Sequence, residues 1–163
     1  MRISVGFYCA LFLFFCSSCK QEGTSKKSTE GAGGKAIELP AFPSDQLSKM
    51  RSEGTSVDLI SLKKDVNISM SFDNPQSFSI IMSFITDDVG QLTNLCTPEA
   101  HLIVQKNGDI LQEMDLYYKN GCNAMVFMNK EGKKVSANLI SNEGMDFFNN
   151  FLKAKNSQDT MGR

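Results

Sequence analysis

Glu113, Asp115 and Tyr117 alternate along one stretch of the chain, so in an extended strand all three side chains point the same way. Paired carboxylates of this kind could do acid–base work on a glycan. Residues two apart on an antiparallel strand are, however, the ordinary make-up of its solvated face, and that is the reading adopted here. His101 is the single histidine, which excludes any triad or metal cluster that needs two. At the start of a strand beside Glu99, it reads as a structural or surface residue rather than a general base. Asp87-Asp88 before Val89-Gly90 lacks the spaced oxygen ligands and closing Glu of a calcium loop, so it reads as a turn. No Gly-rich phosphate loop, G-x-S-x-G elbow or zinc spacing occurs. No catalytic residue, metal or cofactor is therefore expected.

The cysteines carry more information. Cys16-Ser17-Ser18-Cys19 has the C-x-x-C spacing of redox and zinc sites. It closes a segment with one basic residue, Arg2, and an apolar run from Ile3 to Phe15. Thirteen apolar residues are too few for a membrane span, which needs about 20, and the layout is that of an export signal. Cleavage within it separates the C-x-x-C pair. Cys96 and Cys122 then remain besides Cys19, and an even pair in an exported protein predicts a disulfide. In the chain-entropy model, closing that loop contributes roughly 3–4 kcal/mol.

The end of the signal resembles the lipobox of bacterial lipoproteins, in which small residues precede a cysteine that is lipidated and becomes the mature N-terminus. Ser17 and Ser18 supply the small residues, while Cys16 stands where the family carries an aliphatic one. Lys20-Gln21-Glu22 after the cysteine resembles the looser form of the box in lipoproteins of Bacteroidota. The resemblance implies lipidation at Cys19 and residence in the cell envelope, lipid-anchored at the outer membrane. Ordinary cleavage near Cys19 would instead give a free periplasmic protein. The implied organisation is a signal over residues 1–18, a lipidated Cys19 with a flexible tether over 19–38, one globular domain over 39–155 and a frayed tail over 156–163.

Loss of Arg2 with the signal leaves 16 of the 17 basic residues against 18 acidic ones, a formal charge of −2. Neither that balance nor the scattered lysines form a basic stripe, so nucleic acid is not an expected partner. The tether, rich in Gly, Ser and Thr, has no apolar periodicity.

Pro43-Ser44-Asp45-Gln46 predicts a short helix capped by Ser44 and ended by Gly54. Alternation predicts strands at Val57–Leu62, Val66–Phe72 and Phe78–Phe84, the last following an Asn74-Pro75 turn. Asn107-Gly108 and Asn120-Gly121 predict tight hairpins joining His101–Lys106, Asp109–Tyr118 and Cys122–Met128, with Lys134–Ile140 completing a meander. Asn142 caps a C-terminal helix with a stripe of Met145, Phe148 and Leu152. The fold class is therefore α+β: about seven antiparallel strands with a short N-terminal helix and a C-terminal helix packed on the sheet. A small sandwich or barrel is the alternative. Tyr117, Tyr118, Met125 and Phe127 form an apolar surface that either binds a partner or lies under the terminal helix. Function is expected to run through contacts with an envelope protein, as accessory component or as inhibitor; an apolar-ligand carrier is the third class. Replacing Cys19 with Ser should move the protein from the membrane pellet to the soluble fraction. Continued pelleting of that variant would rule the anchor out.

Overall fold

The computed structural model describes residues 34–64 and 67–154. Cys19, the signal, most of the tether, Val66 and the tail over 156–163 lie outside the described residues. The elements are α1 (Ser44–Glu53), β1 (Ser56–Ser61), β2 (Ser69–Phe72), α2 (Pro75–Ser83), β3 (Ile85–Val89), β4 (Ala100–Lys106), β5 (Asp109–Tyr117), β6 (Ala124–Met128), β7 (Lys134–Ile140) and α3 (Asn142–Ala154). The seven strands form one open antiparallel sheet in the order β2-β1-β4-β5-β6-β7-β3. The fold is α+β, as the patterning predicts.

Turn chemistry sets the register of the meander. Asn107 and Gly108 have φ of 53° and 94°, and Asn120 and Gly121 have 57° and 78°. These left-handed conformations are the ones that Asn and Gly tolerate and that match strand twist. Lys106 pairs with Asp109, and Tyr117 with Ala124 across the second turn.

Register divides the side chains between two faces. Leu59, Leu102, Met114 and Phe127 line up across β1, β4, β5 and β6. This face packs against Leu47 and Met50 of α1, Phe78, Ile81 and Met82 of α2, and Phe148 and Leu152 of α3. At roughly 1.5–3 kcal/mol per buried large apolar side chain, this layer is the main source of stability.

Two expectations change here. The run Phe78-Ser79-Ile80-Ile81-Met82-Ser83 is helix α2, not a strand. Its apolar residues satisfy both periods, and the flanks decide between them. The Asn74 side chain accepts from the Gln76 N–H at 2.8 Å, and Pro75 stands at the first helical position. The Asn-Pro turn is thus a helix start, and Ile80 turns outward. Asp87-Asp88, expected as a turn, belongs to β3, an edge strand whose pairing with β7 shifts between Ile85 and Val89. The strand count holds although one member has been exchanged for another. Both expected caps also move by one residue. Ser44 is already helical and makes no cap bond, since Pro43 precedes it. Ser141 rather than Asn142 caps α3, its hydroxyl accepting from the Gly144 N–H at 3.2 Å.

The outer face is covered over β5, β6 and β7 by the chain itself. After β3, residues 90–96 cross this face, and Leu92 and Cys96 pack on Tyr117, Cys122, Ala124, Val126 and Ala137. Gly90 permits the crossing: a Cβ there would lie 2.7 Å from the Ala124 Cβ and 2.9 Å from the Asn138 carbonyl oxygen. Gln91 and Asn123 exchange two backbone bonds of 2.9 Å, while the Asn123 amide pairs with both backbone groups of Ile140. Cys96 and Cys122 stand at disulfide distance, with Cα atoms 6.1 Å apart. The pair is brought together by the Gly90–Cys96 crossing, which spans the interval that a flat ladder would leave too wide.

The N-terminal segment rides on this crossing. Ile37 N–H donates to the Leu92 carbonyl at 3.0 Å, and Asn94 N–H to that of Lys35 at 2.9 Å. Leu39 joins the outer cluster, yet the Phe42 ring stacks on Phe127 of the helix-side face at 4.0 Å. Residues 39–42 therefore pass beside β7 from one face to the other. There the Ala137 N–H donates to the Pro40 carbonyl at 2.9 Å. Cys96→Ser should lower unfolding stability by roughly 2–5 kcal/mol, because it frees both the crossing and the segment lying on it. Equal denaturation midpoints with and without reductant would show that no such bridge contributes.

Candidate functional site on the outer face

No element crosses the other half of the outer face, over β2, β1, β4 and part of β5, among the described residues. Its side chains follow from register: Ser69 and Ser71 on β2, Asp58 and Ile60 on β1, His101, Ile103 and Gln105 on β4, Glu113 and Asp115 on β5. Three carboxylates thus share a face with two isoleucines. Ile60 is 36% exposed, and Asp58, Ile103, Glu113 and Asp115 are half-buried.

Hydrogen bonds fix two of the carboxylates. Gln105 donates from Nε2 to Asp58 Oδ2 at 2.6 Å, and Ser71 donates from Oγ to Asp58 Oδ1. His101 Nδ1 lies 2.9 Å from Asp115 Oδ1, directly across the β4–β5 ladder. A histidine held this way is two-thirds of a nucleophilic triad. The register, however, surrounds His101 with Ile60, Ile103 and Asp115, and brings no serine or cysteine to its free side. No three His, Cys, Asp or Glu residues converge on a metal position among the described residues. The arrangement holds Asp58 and Asp115 in fixed orientations, so a group that bound them would find little ordering left to offset binding.

A second polar cluster closes the adjoining end of the sheet. Glu99, 7% exposed, has Oε2 3.2 Å from Lys63 Nζ and 3.0 Å from Lys119 Nζ. Both ammonium groups also lie over the Tyr118 ring, at 5.9 and 5.7 Å from its centroid. Burial pushes the Tyr118 phenol above the ordinary tyrosine range, the Lys119 charge works against that, and Glu99 adds to it. The charge of a carboxylate taken out of water in this way is offset by the two cations that flank it, although Oε2 accepts no well-aimed hydrogen bond.

The expected surface of Tyr117, Tyr118, Met125 and Phe127 is core. Their exposures are 1%, 7%, 0% and 0%. Met125 and Phe127 lie beneath the helices, as the covered alternative requires. Tyr117 lies beneath the crossing segment, with Lys134 Nζ 5.0 Å from its ring centroid. Both faces of β6 are apolar because both are covered, one of them by loop rather than by helix. Glu113 and Asp115 do share the outer face, as alternation implies. Asp58, Gln105 and the Glu99 cluster escape the sequence reading because their partners are distant along the chain. Their trace in the sequence is the polar residues Ser56 and Asp58 on β1 and His101 and Gln105 on β4, which share one face with Ile60 and Ile103.

Comparison with protein-family models, with curated proteins and with solved structures finds no significant match to this chain.

The raised phenol gives a pH prediction. Its contribution is intact below about pH 10, where neither state ionises, and is lost as pH rises from there through the folded-state value. Urea unfolding between pH 8 and 11 should therefore show wild type losing stability faster than Tyr118→Phe above pH 10. Parallel curves would mean that the phenol is not held neutral by burial.

Proposed function

We propose that this protein is a non-enzymatic, lipid-anchored component of a bacterial envelope that works by binding another protein. The observation that carries the reading is the asymmetry of the outer face. One half is sealed by the crossing segment and its disulfide-distance cysteine pair, while the other, uncovered among the described residues, presents pre-aimed carboxylates among isoleucines. A flat face with apolar patches inside a polar frame is the usual composition of a protein-binding surface. The carboxylates favour a partner that brings lysine, arginine or backbone N–H donors.

An inhibitor or immunity-type role would use the same surface and differs only in what the partner does. A carrier of an apolar ligand has less to stand on. The sheet is open rather than closed into a barrel, and side chains of all three helices fill its inner face. A surface cleft of about 540 Å³, between Ala36–Leu39 and Val89–Thr93, is one place open to such a ligand.

The test is native mass spectrometry of the protein purified gently from its own envelope, alongside the double variant Asp58→Lys, Glu113→Lys. Wild type should carry a stoichiometric protein partner that the charge-reversed variant has lost. A partner retained by the variant would move binding off this face. A retained small molecule in place of a protein would favour the carrier.

A further inference from the structure

The two edges of the sheet are built differently. On β3, consecutive acidic residues and a register shift block the approach of another strand, as natural edges commonly do. β2 has neither. Its four residues, Ser69-Met70-Ser71-Phe72, carry no charge, proline or bulge, and they pair only with β1 among the described residues. The alternation of the ladder shows which backbone groups are left. The Ser61 N–H donates to the Ile68 carbonyl at 2.8 Å, so Met70 and Phe72 also bond inward to β1, and Ser69 and Ser71 point their N–H and C=O groups outward.

We propose that β2 is a dimerisation edge. Two copies of this chain pair antiparallel through Ser69–Phe72 about a two-fold axis at Met70, joining two seven-stranded sheets into one. The two-fold pairs Ser69 with Ser71 on each side of the axis, which gives four new backbone bonds. Two observations favour a second copy over a foreign strand. An uncharged edge meets itself without the like-charge repulsion that would bar most self-pairings. The inner face at this edge is also apolar: Met70 is 42% exposed, and Phe72 adjoins the stacked rings of Phe147 and Phe151 at 6.2 and 6.3 Å. The axis would set that patch against its own copy. A four-residue strand is only about 13 Å long, so the dimer should be reversible and concentration-dependent. This pairing goes beyond the binding proposed for the outer face, and stands whether or not that face holds a partner.

The register gives a sharp test. Met70 faces its own copy as a non-hydrogen-bonded pair, with Cα atoms about 4.5 Å apart, within the range a disulfide spans. Met70→Cys in the full chain, oxidised in its own membranes and digested without reductant, should yield a cross-linked peptide joining the two substituted positions. Sedimentation of the detergent-solubilised wild type should show a monomer–dimer equilibrium. Met70→Lys, which sets two ammonium groups face to face at an exposed site, should weaken it at least about tenfold with unchanged circular dichroism. A wild type that stays monomeric at every concentration would overturn the proposal, as would association unaffected by Met70→Lys. Recovery of a different protein's peptide on the substituted position would assign the edge to a foreign strand instead.

Discussion

Asn138 is shut off from solvent, and both ends of its amide are engaged. Its Oδ1 accepts from the Phe42 N–H at 2.7 Å, and its Nδ2 donates to the Thr86 carbonyl at 2.7 Å. Those two backbone groups belong to segments that no regular ladder could pair. One is the N-terminal chain passing beside β7, and the other is the irregular stretch of β3. Without the amide, each would lose its partner in a half-buried setting, where water makes up part of the loss. This interaction allows β3 to leave its register and lets the chain beside it swing from outer face to inner. The stacking of Phe42 on Phe127, the seating of α1 and the covering of Tyr117 all follow from that passage.

Much of the framework was legible because it is local. Asn-Gly pairs specify their own turns, and strict alternation specifies a strand, so the meander from Ala100 to Ile140 followed from short-range chemistry. The even pair of cysteines was likewise enough to pair Cys96 with Cys122. The errors lie where two local readings were equally good or where the deciding contact is remote. Phe78 to Phe84 fits both a helix and a strand, and the Asn74 cap with Pro75 behind it separates them. Ile85–Val89 has too few apolar residues to announce a strand, and β7 recruits it regardless.

The bare half-face was partly legible for the same reason. Glu113 and Asp115 show themselves by spacing, but Asp58 meets Gln105 only once β1 lies beside β4, 47 residues later. Covering is harder still to foresee. A strand apolar on both sides must be buried on both, yet nothing in β6 says that a loop anchored by Gln91 and Cys96 does half of the burying. Backbone bonds between irregular segments leave no periodic mark in composition.

The ride of the N-terminal segment over the crossing loop has a mechanical side. A pull applied at Gly34 does not act first on the sheet. It acts on the bridge between Ala36 and Thr93 and on the bond from Ile37 to Leu92, a short clasp whose bonds open one after another rather than together. Behind that clasp the load meets the Pro40–Ala137 bond, the Asn138 amide and the helix-side aromatic stack, which would have to give way before α1 could lift. The crossing loop, held at Cys122, stays with the sheet while this happens. Tension on the N-terminal side would thus spend itself in a few residues of slack, and the seven-stranded platform would keep its shape under load.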